Sequence, residues 1–293
     1  MKRLLKWTVI SLASLLAFTL LAIGTVYALS NHAIKQQYEY TLSDFSVVSD
    51  SSLIVEGNRL AKIHGCSNGC HGPDAKGQVW IDRPGIKVTT PNLPRIFSDF
   101  TDAELERSIR GGVKADGSST LIMPSSEYYY FSDYDLSAII AYFRSLPPEA
   151  SEGPEADFTL GWKPRLELIQ GEFKVEAEKI ATYPARIASI DTTDLHQFGH
   201  YITATSCGGC HGHDLMGGSI GSGPTPSLKI VAAYSEAEFD RFMTSGIAKG
   251  ERETRMSNKA RKSFSHLTPN ELDALYTYLS DFAKTPMASN KGD

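Results

Sequence analysis

Four cysteines stand in two close pairs, each followed at once by a histidine. Cys207-Gly208-Gly209-Cys210-His211 has the C-x-x-C-H spacing of covalent c-type haem attachment. Two thiols at that spacing can add to the two vinyl groups on one edge of a porphyrin, and the next imidazole then reaches the iron. A redox C-x-x-C needs no such histidine, and a disulfide framework needs no such regularity. The other pair is Cys66-Ser67-Asn68-Gly69-Cys70-His71, with three intervening residues. Asn68-Gly69 favours a turn, so one residue can loop out and leave both sulfurs and His71 in workable positions.

Each imidazole fills one axial position, and a methionine opposite raises the potential and closes the site. The chain has six Met. Met1 and Met287 are near the ends, Met243 has the helical spacing of a core residue, and Met216 follows its haem motif too closely to reach the far face. Met123, before Pro124, and Met256 remain as candidate sixth ligands, each expected in a loop between a Gly-terminated helix and the last helix of its copy. The competing reading is a methionine packed on the haem edge, with the iron open or bound by His. His213 is the best alternative ligand by proximity, though it lies only two residues from His211. His64, His196, His200 and His266 read as surface or haem-periphery residues, and Tyr128-Tyr129-Tyr130-Phe131 as packing against porphyrin and helix.

The elements that position these residues occur twice. His71-Gly72-Pro73-Asp74 matches His211-Gly212-His213-Asp214, and Thr90-Pro91-Asn92-Leu93 matches Thr225-Pro226-Ser227-Leu228. Capping boxes open helices at Thr101…Glu104 and Ser235…Glu238, which run into Gly111-Gly112 and Gly246. Closing helices are predicted over Ser132 to Leu146 and Thr268 to Phe282, and short helices before the haem motifs over Ser51 to His64 and Thr193 to Thr205. Neither copy shows a convincing strand pattern. Each is too small and loop-rich to bury a conventional core well, and a covalent haem would supply an apolar centre.

Lys2, Arg3 and Lys6 precede an uncharged stretch from Trp7 to Leu29, long enough to cross a bilayer with the basic end inside. A cleaved signal peptide, with Val26 and Ala28 before the cut, is the alternative, and both export the rest of the chain. At 293 residues, 41% hydrophobic and 22% charged, the composition is globular, and a net charge of −5 speaks against nucleic acid as a partner. The expected organisation is an anchor (1–30), a linker (31–50), a first domain (51–148), a connector (149–192), a second domain (193–285) and a tail (286–293). The connector, with a helix-like piece around Pro164 to Glu172, is expected to pack across both domains.

These features together resemble the diheme members of the class I cytochrome c family, over about two-thirds of the chain. The resemblance rests on Cys66, Cys70, His71, Pro91-Asn92-Leu93, Met123-Pro124 and Asp135 to Leu146, then on Cys207, Cys210, His211, Pro226-Ser227-Leu228, Met256 and Glu271 to Phe282. It implies an all-α fold of two tandem helical domains, each wrapped round a covalent haem c, after a transmembrane helix. It also implies His/Met ligation of both irons and periplasmic electron transfer from an inner-membrane anchor, or from a soluble form if the leader is cleaved. The extra residue in the first motif and Ser227 in place of Asn are departures.

No catalytic residue is expected, since all four cysteines are used in attachment and both copies offer a methionine. A peroxidase or thiosulfate dehydrogenase is the alternative, as is a cytochrome subunit of a larger dehydrogenase or oxidase. Lys249, Arg252, Arg255, Lys259, Arg261 and Lys262 surround Met256 against Glu251 and Glu253 alone. Around Met123, Lys114 faces Asp116, Glu127, Asp133 and Asp135. An acidic redox partner docking near Met256 is therefore expected, with a different partner at the first haem.

Overall fold

Leucine and alanine dominate the first 30 residues and no proline interrupts them, so the chain opens with the long helix α1 (Lys2–Ile34). The computed structural model describes residues 1–48, 50–147, 154–184, 186, 189–220 and 223–286. Met287 and the 148/149 domain boundary lie outside them. Among the described residues α1 is the one helix long and apolar enough to span a membrane. Its Thr8, Thr19 and Thr25 hydroxyls donate to the carbonyls of Leu4, Leu15 and Leu21, so these three hydroxyls need no partner outside the helix.

The first half then contains α2 (Ser51–Ile63), β1 (Gln78–Arg83), β2 (Ile86–Thr90), α3 (Leu93–Asp99), α4 (Asp102–Ile109), α5 (Ser125–Tyr128) and α6 (Asp133–Ser145). The connector supplies β3 (Asp157–Leu160), α7 (Trp162–Ile169) and α8 (Glu176–Ile180). The second half has α9 (Leu195–Ser206), α10 (Gly208–His211), β4 (Gly218–Ile220), β5 (Gly223–Thr225), a 3₁₀ turn (Leu228–Ala233), α11 (Glu236–Ser245), α12 (Arg255–Lys262) and α13 (Pro269–Lys284). Both predicted capping boxes form, at Thr101/Glu104 and Ser235/Glu238, and Gly246 ends α11 in the left-handed region at φ 74°.

The fold is mostly helical, but it departs from all-α. β1, β2 and β3 form an antiparallel sheet in that order, and β4 pairs with β5. These strands are only three to six residues long. β1 is bulged between Val79 and Ile81, and such short irregular runs carry too few alternations to read.

The two halves share one crossing. A Cβ placed on Gly57 of α2 would lie 1.8 Å from the Ala138 carbonyl oxygen of α6, and one on Gly199 of α9 would lie 2.0 Å from that of Ala274 in α13. Only glycine lets the backbones approach so closely. The apolar residues of both halves form one continuous cluster, including Leu60, Ile63, Phe131, Leu136 and Phe143 with Ile202, Phe239, Phe264, Leu272 and Leu275.

The segment expected as a linker is not a loose tether. Tyr38 N donates to Gly117 O (2.9 Å), Val47 N to Asp102 Oδ2 (2.7 Å), and Ser43 bonds Glu106. The connector adds a strand to the first half's sheet, buries Glu176 against Ser126 N (2.7 Å), and reaches the second half where the Tyr183 hydroxyl meets His213 Nε2 (2.5 Å).

Candidate haem sites

In the second half the helix α9 runs directly into Cys207, and Gly208–His211 continue as one helical turn. In the first half α2 stops at His64, and Gly65 breaks it with φ 76°. The extra residue is then absorbed by a non-helical turn: Ser67 is extended, and Asn68 takes a left-handed conformation at φ 62°. Asparagine is among the few residues that tolerate this.

Beyond the cysteines the two sites repeat the same hydrogen bonds. His71 Nδ1 lies 2.9 Å from Pro91 O, and His211 Nδ1 lies 2.8 Å from Pro226 O. A carbonyl can only accept, so Nδ1 carries the hydrogen and Nε2 keeps its lone pair for a metal. The Thr90 hydroxyl donates to Cys70 O (2.8 Å), and Thr225 does the same to Cys210 O. Gly77 N donates to His71 O (3.0 Å) and Gly217 N to His211 O (2.8 Å). Asn92 caps α3 through Arg95 N, and Ser227 caps the 3₁₀ turn through Lys229 N, so the Asn-to-Ser difference preserves the cap.

All four thiols are free. Burial pushes Cys66 and Cys207 up to about 12 and Cys70 to about 11. A redox-active pair needs the opposite shift. Burial also holds His71 below its ordinary value, hence neutral. Neutral thiols beside an imidazole with a free Nε2 fit a covalently attached haem.

Met123 and Met256 are both half-buried against the apolar cluster that contains Cys207, as is Cys66. Met123 lies in an irregular segment, whereas Met256 lies in the first turn of α12, not in a loop. Met243 is buried in the core (4% exposed), and Met216 is exposed with its sulfur 3.8 Å from Ser227 Oγ. One ring nitrogen of His213, Nε2, is bonded to the Tyr183 hydroxyl. His64 is no surface residue: its ring meets Phe131 edge-on at 4.6 Å, and burial pushes it down to about 3.

The segments that carry the two methionines also cross between the halves. A Cβ on Gly209, inside the second motif, would sit 1.7 Å from Glu127 Oε1. In return Lys259 Nζ donates to Ile63 O (3.1 Å) and lies 3.9 Å from a Cβ built on Gly65, just before the first motif. A second reciprocal set accompanies it. Arg59 of α2 pairs with Glu271 of α13 (2.6 Å), while Tyr201 of α9 bonds Asp135 of α6. Arg59 and Tyr201 each lie two residues after the crossing glycine, and Asp135 and Glu271 each lie third after the N-cap of the closing helix. The halves thus meet about a pseudo-two-fold axis, as self-complementary patches do, around a cavity of about 690 Å³. The sequence shows these cross-contacts only as equal offsets within the repeat.

The structure revises the charge pattern near Met256. Lys259 is turned inward and packs over Phe264 (5.1 Å). Arg261 is held bidentate by Glu253, Lys249 by Glu238 and Ala233 O, and Arg255 bonds Pro224 O.

Residues 198–282 match the cytochrome c family. Cys207, Cys210, His211 and Met256 all lie inside that range, so the second half carries a cytochrome c domain, which implies covalently bound haem c. The chain is similar to the cytochrome c subunit of a quinone-type alcohol dehydrogenase from Gluconacetobacter polyoxogenes, at 23% identity over 274 residues, covering 81% of this chain and 58% of that protein. A Komagataeibacter europaeus protein of the same name gives the same figures. The fructose dehydrogenase cytochrome subunit of Gluconobacter japonicus is 23% identical over 255 residues, covering 77% of this chain and 52% of that protein. The chain thus spans little more than half the length of these relatives.

Proposed function

We propose that the protein is a membrane-anchored electron carrier with two covalently attached haem c groups, one at Cys66, Cys70 and His71 and the other at Cys207, Cys210 and His211. The observation that carries this reading is the repeated His–Pro pair. The same Nδ1-to-carbonyl bond that supports His211 in the matched domain supports His71 in the half that lies outside it.

Bound haem supplies a reversible one-electron iron couple, and the chain tunes and shields it. The cysteines fix each group covalently. The proline carbonyls hold each imidazole in one tautomer and orientation. Met123 and Met256 are the proposed sixth ligands, and with both in place the electron is exchanged with little ligand rearrangement. Glu127 and Lys259 lie between the two attachment motifs, with burial raising the Glu127 carboxyl to about 7 so that its charge there varies with pH near neutrality.

The names of the relatives favour a setting within a dehydrogenase assembly, where the chain receives electrons from the catalytic subunit and is not itself catalytic. The proposed side is the periplasmic face of the inner membrane, with α1 as the anchor. Arg252, exposed before α12, and Lys262, exposed at its last position, are the proposed contacts for an acidic partner. A potentiometric titration followed in the haem absorption bands tests the carrier. Two one-electron steps with no carbon monoxide binding to the reduced protein are expected. Rapid carbon monoxide binding at one haem would replace the carrier reading with an enzyme.

A further inference from the structure

The end of α1 is part of the folded body. Ser30 is fully buried, whereas the preceding apolar run is almost wholly exposed. Arg165 of α7 makes the attachment. Its Nη1 donates to Ser30 Oγ (2.8 Å) and Asn31 Oδ1 (2.7 Å), its Nε donates to Leu160 O (2.9 Å), and its guanidinium lies 4.5 Å from the centre of the Tyr27 ring. One side chain thus clamps the helix end to the first half's sheet.

The clamp fixes a level. At 1.5 Å per residue α1 is about 50 Å long, against about 30 Å of hydrocarbon in a bilayer. The apolar run ends at Leu29, and Ser30-Asn31-His32 begin the polar end. A span that uses the apolar run therefore places Arg165 at the hydrocarbon edge. Trp162 starts α7 three residues earlier, within about 5 Å along the helix. It is 63% exposed, and Lys163 beside it is exposed too. An indole with a lysine next to it suits the headgroup region, where the ring is half-solvated and its N–H finds an acceptor.

We propose that α7 is an interfacial foot: it lies on the bilayer surface with Trp162 among the lipid headgroups, and the Arg165 clamp holds the haem-bearing body at one fixed orientation to the membrane. This rests on α1 being a retained span. The occupant of the exposed face of α7 is lipid, because the face is continuous with the span that the clamp holds.

The test uses the full-length protein in phosphatidylcholine vesicles, with Trp7→Phe and Trp80→Phe leaving Trp162 as the one tryptophan. Emission is compared among plain lipid, lipid brominated near the glycerol end of the acyl chain, and lipid brominated near the methyl end. Any quenching by haem is common to all three, so the ratio is the reading. Shallow bromines should quench Trp162 at least twofold and deep bromines much less, and Arg165→Ala should abolish most of that difference. Flotation of the same sample separates the span from the foot. Protein that does not float overturns the span and the foot together. Protein that floats with Trp162 emission equal in all three lipids overturns the foot alone. Should the Arg165 variant fail to fold, hydrogen exchange of residues 162–169 in the wild type gives a second reading. Slower exchange in lipid discs than in detergent is expected, and equal rates would contradict the foot.

Discussion

The two Cys–His motifs reach similar hydrogen bonding by different backbones. In the second, a helix runs through to the cysteines and one regular turn delivers His211. In the first, a left-handed glycine stops the helix and Asn68 at φ 62° swallows the extra residue. Downstream the two agree again, His to Pro, Thr to Cys, Gly to His. On the proposed two-haem reading, the backbone before the histidine could vary because the sulfurs would need only to reach one edge of the ligand. The histidine could not, because its tautomer and direction would set the metal bond.

The largest expected effect strikes what the halves share. Gly199→Val drives a side chain into the Ala274 carbonyl, and Gly57→Val does the same at Ala138. Each should destabilise by about 3 kcal/mol or more. Because the apolar cluster is continuous, calorimetry should show one transition falling in both variants. Two separated transitions would show that the halves are independent.

The reciprocal pairs come next. Arg59→Met leaves the buried Glu271 carboxylate without its partner and should lower stability by about 2–3 kcal/mol. Tyr201→Phe removes the bond to Asp135 and the one accepted from Ser132 N (3.0 Å), and should lower it by about 1–2 kcal/mol. Denaturant midpoints would show this order, and a reversed order would break the assigned equivalence of the two pairs.

The motifs themselves should differ under substitution. Asn68→Val puts a β-branched residue in the left-handed region and should cost about 1–2 kcal/mol. Gly208→Ala, on a helical backbone whose nearest neighbour is the His213 ring at 3.3 Å, should cost well under about 1 kcal/mol. Thermal midpoints of the two variants give the contrast directly.

The smallest effect is on pH. Burial raises Glu127 from 4.5 to about 7, against the opposing charge of Lys259, and raises Asp135 from 3.8 to about 6. The folded state then holds more protons than the unfolded one between these values. The contribution of these two carboxyls should fall as pH rises from about 4 to 7 and level off above, opposed up to about pH 6.5 by His64, whose depressed value makes its own contribution rise with pH. Glu127→Gln should flatten the upper part of that decline, and urea midpoints across the range would show it.

The second half's cytochrome c domain, both predicted capping boxes and the four long helices of the body are legible in the sequence, because each depends on local spacing. The strands are not, being short and, in β1, bulged. The inward turn of Lys259 is hidden for a related reason. A cation on an exposed-looking segment gives no local sign that a carbonyl from the other half, Ile63 O, is waiting for it. Met256 reads as a loop residue because nothing in Thr254-Arg255-Met256-Ser257 resembles a strong helix start, yet Thr254 caps α12 there. The crossing glycines and the Arg59–Glu271 and Tyr201–Asp135 pairs are visible only as equal offsets in a repeat, which become contacts once the halves face each other.

Whether both halves carry haem is decided by denaturing mass spectrometry of the protein and its peptides. Two haem masses are expected on the intact chain, one on the peptide containing Cys66 to His71 and one on that containing Cys207 to His211. A single haem, confined to Cys207 to His211, would overturn the two-haem reading and leave the first half a scaffold without a redox centre.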